Sequence, residues 1–134
     1  MQRISPAMDR PRFDRIRRPH RHAWLWEPLE ADPSFVLKSM FGLKVVYLDG
    51  RLMLCFAAKD EPWRGVLVCT AHEHQAALIA EFPALAQHPV LPKWLYLPES
   101  HRDFERLAGR LIALSRRRDP RIGVLPKPKR RRAR

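Results

Sequence analysis

Six histidines, two cysteines and a set of regularly spaced arginines are the residues of this 134-residue chain whose types could do chemistry. His72 and His74 invite a metal reading, because imidazole is a good ligand for zinc and copper. Both stand in the first turn of an apolar helical pattern, where side chains two residues apart point about 200° from one another. Ligand pairs on a helix are three or four residues apart, so these two are read as solvated side chains. In His20-Arg21-His22 an arginine separates the imidazoles, and His88 and His101 stand alone in connections. No metal and no cofactor is expected.

Cys55 and Cys69 lie inside the apolar runs Leu52–Phe56 and Val66–Cys69. Neither has the exposed, electropositive setting that stabilises a thiolate, so both are read as small buried hydrophobes in a reducing compartment. If the two runs are neighbouring strands, a bridge requires the cysteines to face each other directly, and register decides that. No Ser/His/acid order, glycine-rich phosphate loop or CxxC spacing is present, so no catalytic residue is assigned and the chain is read as non-enzymatic.

The arginines carry the sharper signal. Arg102, Arg106 and Arg110 recur every four residues and are expected along one face of the last helix. Like charges at that spacing cost a few tenths of a kcal/mol each, so the face is either solvated and offset by Asp103 and Glu105, or a nucleic-acid-binding face. Lys127, Lys129, Arg130, Arg131, Arg132 and Arg134 form a block able to neutralise about five phosphates, with affinity falling steeply in salt. Such contacts position a partner without reading its sequence. The alternative for this block is a solubilising tail.

The net charge of +12 is unevenly distributed. Residues 1–23 carry +5, residues 115–134 carry +9, and the stretch between them carries −2. Basic charge therefore sits at the ends of a nearly neutral body. Residues 1–23, rich in Arg and Pro, are expected as a mobile basic arm, and residues 119–134 as a disordered basic tail. No apolar run approaches the roughly 18 residues needed to span a bilayer. The Arg-rich start lacks the apolar segment of a secretory signal, so a cytoplasmic protein without membrane contact is expected.

The elements that position these residues are organised around Asp49-Gly50, which separates Val45–Leu48 from Leu52–Phe56. An Asp-Gly pair between apolar runs predicts a two-residue hairpin, because that turn needs positive φ at both positions. Phe35–Phe41 and Val66–Cys69 read as further strands. Lys93-Trp94-Leu95-Tyr96-Leu97 is another, with Trp94 and Tyr96 on one face and Leu95 and Leu97 on the other. Trp24–Leu29 reads as a short helix limited by Pro28 and Pro33. Thr70 and Glu73 fit a capping box for a helix running to about Phe82, where Pro83 stops it. The last helix is expected from a Ser100 cap, through Phe104, Leu107, Leu111 and Leu114, to an Asp119-Pro120 stop. The fold class is α+β: a small antiparallel sheet of about four to five strands with flanking helices over residues 24–118.

This order resembles the TfoX N-terminal domain and the MmcQ/YjbR-like proteins. Ser39-Met40-Phe41-Gly42, Tyr47-Leu48-Asp49-Gly50-Arg51-Leu52 and Lys93–Leu97 carry the resemblance, which covers roughly Val36 to Arg117. It implies a small regulatory α+β domain, with DNA binding suggested for the YjbR-like group and no catalytic set to transfer. In the TfoX pattern a second glycine commonly follows Met-Phe-Gly, and here Leu43 follows. The leading expectation is a domain binding DNA, RNA or an acidic partner with help from its basic ends. The alternative is a protein- or small-ligand-binding domain using an aromatic surface drawn from Trp24, Trp26, Trp63 and Trp94.

Overall fold

The computed structural model describes residues 20–126. The arm and tail residues 1–19 and 127–134, including Lys127, Lys129, Arg130, Arg131, Arg132 and Arg134, lie outside the described residues.

Alternating apolar stretches of β-branched, leucine and aromatic residues build one antiparallel sheet. Its strands are β1 (Val36–Met40), β2 (Leu43–Leu48), β3 (Arg51–Ala58), β4 (Arg64–Val68), β5 (Ala86–Gln87) and β6 (Leu95–Pro98), in the spatial order β1-β2-β3-β4-β6-β5. The expected Asp-Gly hairpin joins β2 to β3, with φ of 53° at Asp49 and 75° at Gly50. The sheet has six strands where four to five were expected. Two-residue β5, hydrogen-bonded to β6, is too short for alternation to reveal it.

Three helices cover one face of the sheet: α1 (Ala23–Trp26), α2 (Gln75–Glu81) and α3 (Phe104–Arg116). Beneath them Val46, Leu48, Leu54, Phe56, Val66, Val68, Leu95 and Leu97 pack against Leu25, Trp26, Leu29, Leu78, Leu107 and Leu111. Each fully buried leucine here contributes about 1.5–3 kcal/mol of transfer free energy. The other face carries a second cluster. Register aligns Val45, Cys55, Leu67 and Tyr96 in one row across four strands. Leu43, Leu52, Ala57 and Cys69 complete its floor. Among the described residues no helix lies on that side; its partial cover includes Trp63, Leu91, Trp94 and Val124.

Both predicted caps differ. The Thr70 hydroxyl donates to the Arg121 carbonyl (2.7 Å), and a 3₁₀ turn at His72–His74 precedes α2, which has no side-chain cap. At the last helix Asp103, not Ser100, is the N-cap residue, and its own amide donates to His101 Nδ1 (3.0 Å).

The expected boundary at residue 119 also moves. Arg118, with φ 58°, ends α3 and donates to Asp49 Oδ2 and Asp32 Oδ2, both at 2.6 Å. The Asp32 carboxyl is thereby held down at about 2. The chain then returns to the sheet. Ile122 is buried, the Gly123 amide donates to the Cys69 carbonyl (2.7 Å), and Val124 exchanges two hydrogen bonds with Leu52 (2.8 and 3.0 Å). One buried isoleucine among charges, Pro and Gly has no period from which this docking could be read. At the other end of the body, His22 is buried against Phe104 although it was placed in the arm.

Candidate functional site

The helix-free face of the sheet is concave. The β1–β2 hairpin, the β3–β4 turn, the Leu91–Trp94 loop and the returning residues 124–126 rise around it and enclose a cavity of about 760 Å³. Strand alternation puts Met40 on β1 and Leu43, Val45 and Tyr47 on β2 on one side. Leu52 and Cys55 of β3, three residues apart, share that side because the β2–β3 register shifts by one residue between them. Trp63 and Trp94 form two walls. Of the four tryptophans, these two share this face. Trp26 is buried beneath the helices, and Trp24 is 46% exposed on the helical side.

Lys59 and Lys93 are the charged residues lining the groove, and no carboxylate lies among its walls. Neither lysine has an ion-pair partner among the described residues. The Lys93 ammonium sits 4.8 Å from the Trp94 ring centre, and Lys38 holds the same relation to Tyr47 at 5.1 Å. Lys59 follows β3 and lies against the turn between β1 and β2. That turn repeats the geometry of the Asp49-Gly50 turn, with φ of 52° at Phe41 and 80° at Gly42. A Cβ on Gly42 would collide with Cε and Nζ of Lys59, so glycine there lets the ammonium pack across the turn. Phe41 is 88% exposed at the lip of the groove.

The cysteine pair lies at the floor. Cys55 and Cys69 are unlinked, with their sulfurs 3.7 Å apart, and only Cys55 lines the groove. Burial, together with the neighbouring Cys55 thiol, pushes the Cys69 thiol well up, so it is a neutral group.

Two polar clamps fix the walls. Tyr96 Oη donates to Glu61 Oε1 (2.7 Å) and accepts from the Arg64 amide (2.8 Å). Burial and the Glu61 carboxylate raise its phenol, which stays protonated. His88 Nδ1 accepts from the amides of Val90 and Leu91 (3.0 and 3.1 Å), so Nε2 carries the proton and donates to the Pro62 carbonyl (2.7 Å). Its ring lies 4.2 Å from that of Trp63. His88 is a structural residue that holds one wall of the groove.

Of the three spaced arginines, Arg106 and Arg110 stand one turn apart on α3 but take different partners. Arg102 precedes α3. Together with Arg106 it lines a separate polar cavity of about 550 Å³ that also includes Arg21, His22 and Glu99. Charges there are largely matched: Arg21 pairs with Glu99 (2.8 Å) and Arg106 with Asp103 (3.2 Å). Burial pushes the Glu99 carboxyl upward, but its hydrogen bond from Arg21 and the charges of Arg21, Arg64 and His22 bring it below its usual range. His22 Nε2 lies 3.2 Å from Glu99 without the alignment of a hydrogen bond. Arg110 is elsewhere, paired with Glu81 (3.0 Å) and stacked 4.4 Å from the Phe82 ring.

His74 lies 3.6 Å from Glu73, and among the described residues no group of three or more His, Cys, Asp or Glu side chains is arranged to hold a metal. Among them, too, no helix is long and apolar enough to cross a membrane. The sequence assigns no binding role to Phe41, Lys59 or Lys93, although Phe41 and Lys93 stand in segments that carry the resemblance. The one available signal was Phe41 directly before Gly42, an aromatic residue where a tight turn favours Asn or Asp. No family model, curated protein or solved structure matches the chain.

Proposed function

We propose that this protein is a binding module whose working surface is the groove on the helix-free face of the sheet. It seats a molecule or chain segment that combines an apolar body with negative charge. The observation that carries this reading is the groove itself: about 760 Å³, walled by Trp63, Trp94, Tyr47 and aliphatic side chains, with lysines as its charged lining. Concave, mostly apolar surfaces with a few convergent polar groups are the usual form of a ligand site. A TfoX/YjbR-like scaffold in the cytoplasm is part of the proposal. Its support is the element order through the Met40-Phe41-Gly42 and Asp49-Gly50 turns, and the unlinked thiols.

The test is amide chemical-shift mapping of the full chain with an anilinonaphthalene sulfonate dye. Saturable shifts are expected at Tyr47, Cys55, Trp63 and Trp94. Shifts confined to the helical side would refute the assignment.

A second reading, sequence-independent attraction of DNA or RNA, is favoured by one placement. Leu125 and Pro126 line the groove, so the basic block that begins at Lys127 is attached at its rim. Arg102 and Arg106 are the cations of the folded body that this reading adds, and the pairing of Arg106 with Asp103 makes the block the stronger contributor.

A further inference from the structure

We propose that the groove's ligand is a small amphipathic monocarboxylate, with its apolar body against Trp63, Trp94 and Tyr47 and its acid group at Lys59 or Lys93 under the lip formed by Phe41. The inference rests on the binding-module reading and narrows it to one chemical class.

Charge complementarity selects the sign. The groove's charged side chains are both ammonium groups, and no lining residue is acidic. An alkylammonium ligand would meet only like charge, whereas a carboxylate gains a charge-assisted hydrogen bond from lysine. Shape selects the body. The floor is aliphatic along β2 and β3, the walls are aromatic, and the volume falls within the range that holds small molecules.

The Phe41–Lys59 pair argues for a built mouth. A phenylalanine at φ 52° is conformationally unfavourable, and an 88% exposed ring gains little by folding. Backbone strain of this kind is retained mainly where it serves a site. Here it places an aromatic lip in the same groove lining as the Lys59 ammonium, which packs across Gly42. A ligand with one apolar and one anionic end would engage both. Cys55 is part of the buried floor, and the proposal involves no covalent step.

Tryptophan fluorescence of the full chain, titrated below micelle formation with dodecanoate, dodecanol and dodecyltrimethylammonium, tests this. Dodecanoate is expected to bind best and the ammonium compound worst. The signal should be lost in W63F or W94F but kept in W24F. Lys59→Gln and Lys93→Gln together should weaken dodecanoate about three- to tenfold, as expected for exposed charge pairs, and leave dodecanol unchanged. Both lysines are exposed, so these variants should fold. Dodecanol binding as tightly as dodecanoate, with a signal still dependent on Trp63 and Trp94, would overturn the carboxylate assignment and leave the groove reading standing. Absence of binding by all three would overturn the proposal, and the dye mapping would then judge the groove reading separately. Concentration-dependent dimerisation that abolishes the dodecanoate signal would assign the groove to a second copy and also overturn it.

Discussion

Phe41 is unfavourable twice over, as a bulky residue at positive φ and as an exposed ring. Asn before Gly is the preferred pair for this turn. Phe41→Asn is therefore expected to raise stability by about 0.5–1 kcal/mol, seen as a higher urea midpoint at unchanged slope, while weakening dodecanoate. A lower midpoint would mean that the ring is held by contacts that stabilise the fold. His20 gives a prediction of opposite character. Burial first, then the charges of His22, Lys44 and Arg21, lower its pKa from 6.5 to about 4. A histidine depressed in the folded state is protonated more readily when unfolded. Its stabilising contribution is thus complete above pH 6.5 and is lost as pH falls toward 4. The effect is worth about 1–2 kcal/mol once solvent screening of a half-buried ring is counted. Thermal unfolding of His20→Asn should show a flatter decline between these pH values than the parent chain; parallel declines would exclude His20 as the cause.

The element that most changes the picture is the returning segment after α3. Its Ile122 fills the core while Gly123 and Val124 bond to Cys69 and Leu52. Ile122→Ala is expected to destabilise by about 2–4 kcal/mol, the range for truncating a buried isoleucine, and chemical denaturation measures it. Ending the chain at residue 118 should be worse, since Cys69 and Leu52 lose their backbone partners, whereas ending it at 126 should leave the unfolding midpoint unchanged. Equal stability of the two shortened chains would show that this docking contributes nothing. Arg118 acts at the same scale. It ties the Asp49-Gly50 hairpin and the Asp32 turn to the end of α3, and apolar periodicity carries no trace of such a long-range link.

For the whole molecule the central feature is separation of the basic charge in sequence from the largely apolar groove. The stretch from 24 to 114 carries −2, and six of the cations follow Pro126. If those six each meet one phosphate, the slope of log affinity for duplex DNA against log salt should be about −5, and deletion of residues 127–134 should remove most of it. Anisotropy titrations across salt concentrations give the slope. An unchanged slope would move attraction onto the body, where Arg102 and Arg106 are the residues to test. The dodecanoate signal should keep its dependence on Trp63 and Trp94 in this deletion, which separates the two proposed activities in one pair of proteins.

Local chemistry determined what could be read without coordinates. Positive φ at Asp49-Gly50, alternation that sends Trp94 and Tyr96 to one face and Leu95 and Leu97 to the other, and the spacing of Phe104, Leu107 and Leu111 all depend on near neighbours in the chain. Each was therefore legible. The Thr70 cap gives way to a tertiary partner, the Arg121 carbonyl, whereas at α3 the start shifts to Asp103 through a local bond from its amide to His101. The pairing of Arg110 with Glu81, the approach of Cys55 to Cys69, and the sharing of one groove by Trp63 and Trp94 join residues far apart in sequence. Helices cover one side of the sheet and not the other because their apolar stripes are used up on a single face. Only the folded chain shows which face the described helices leave uncovered, and the groove lies on that face.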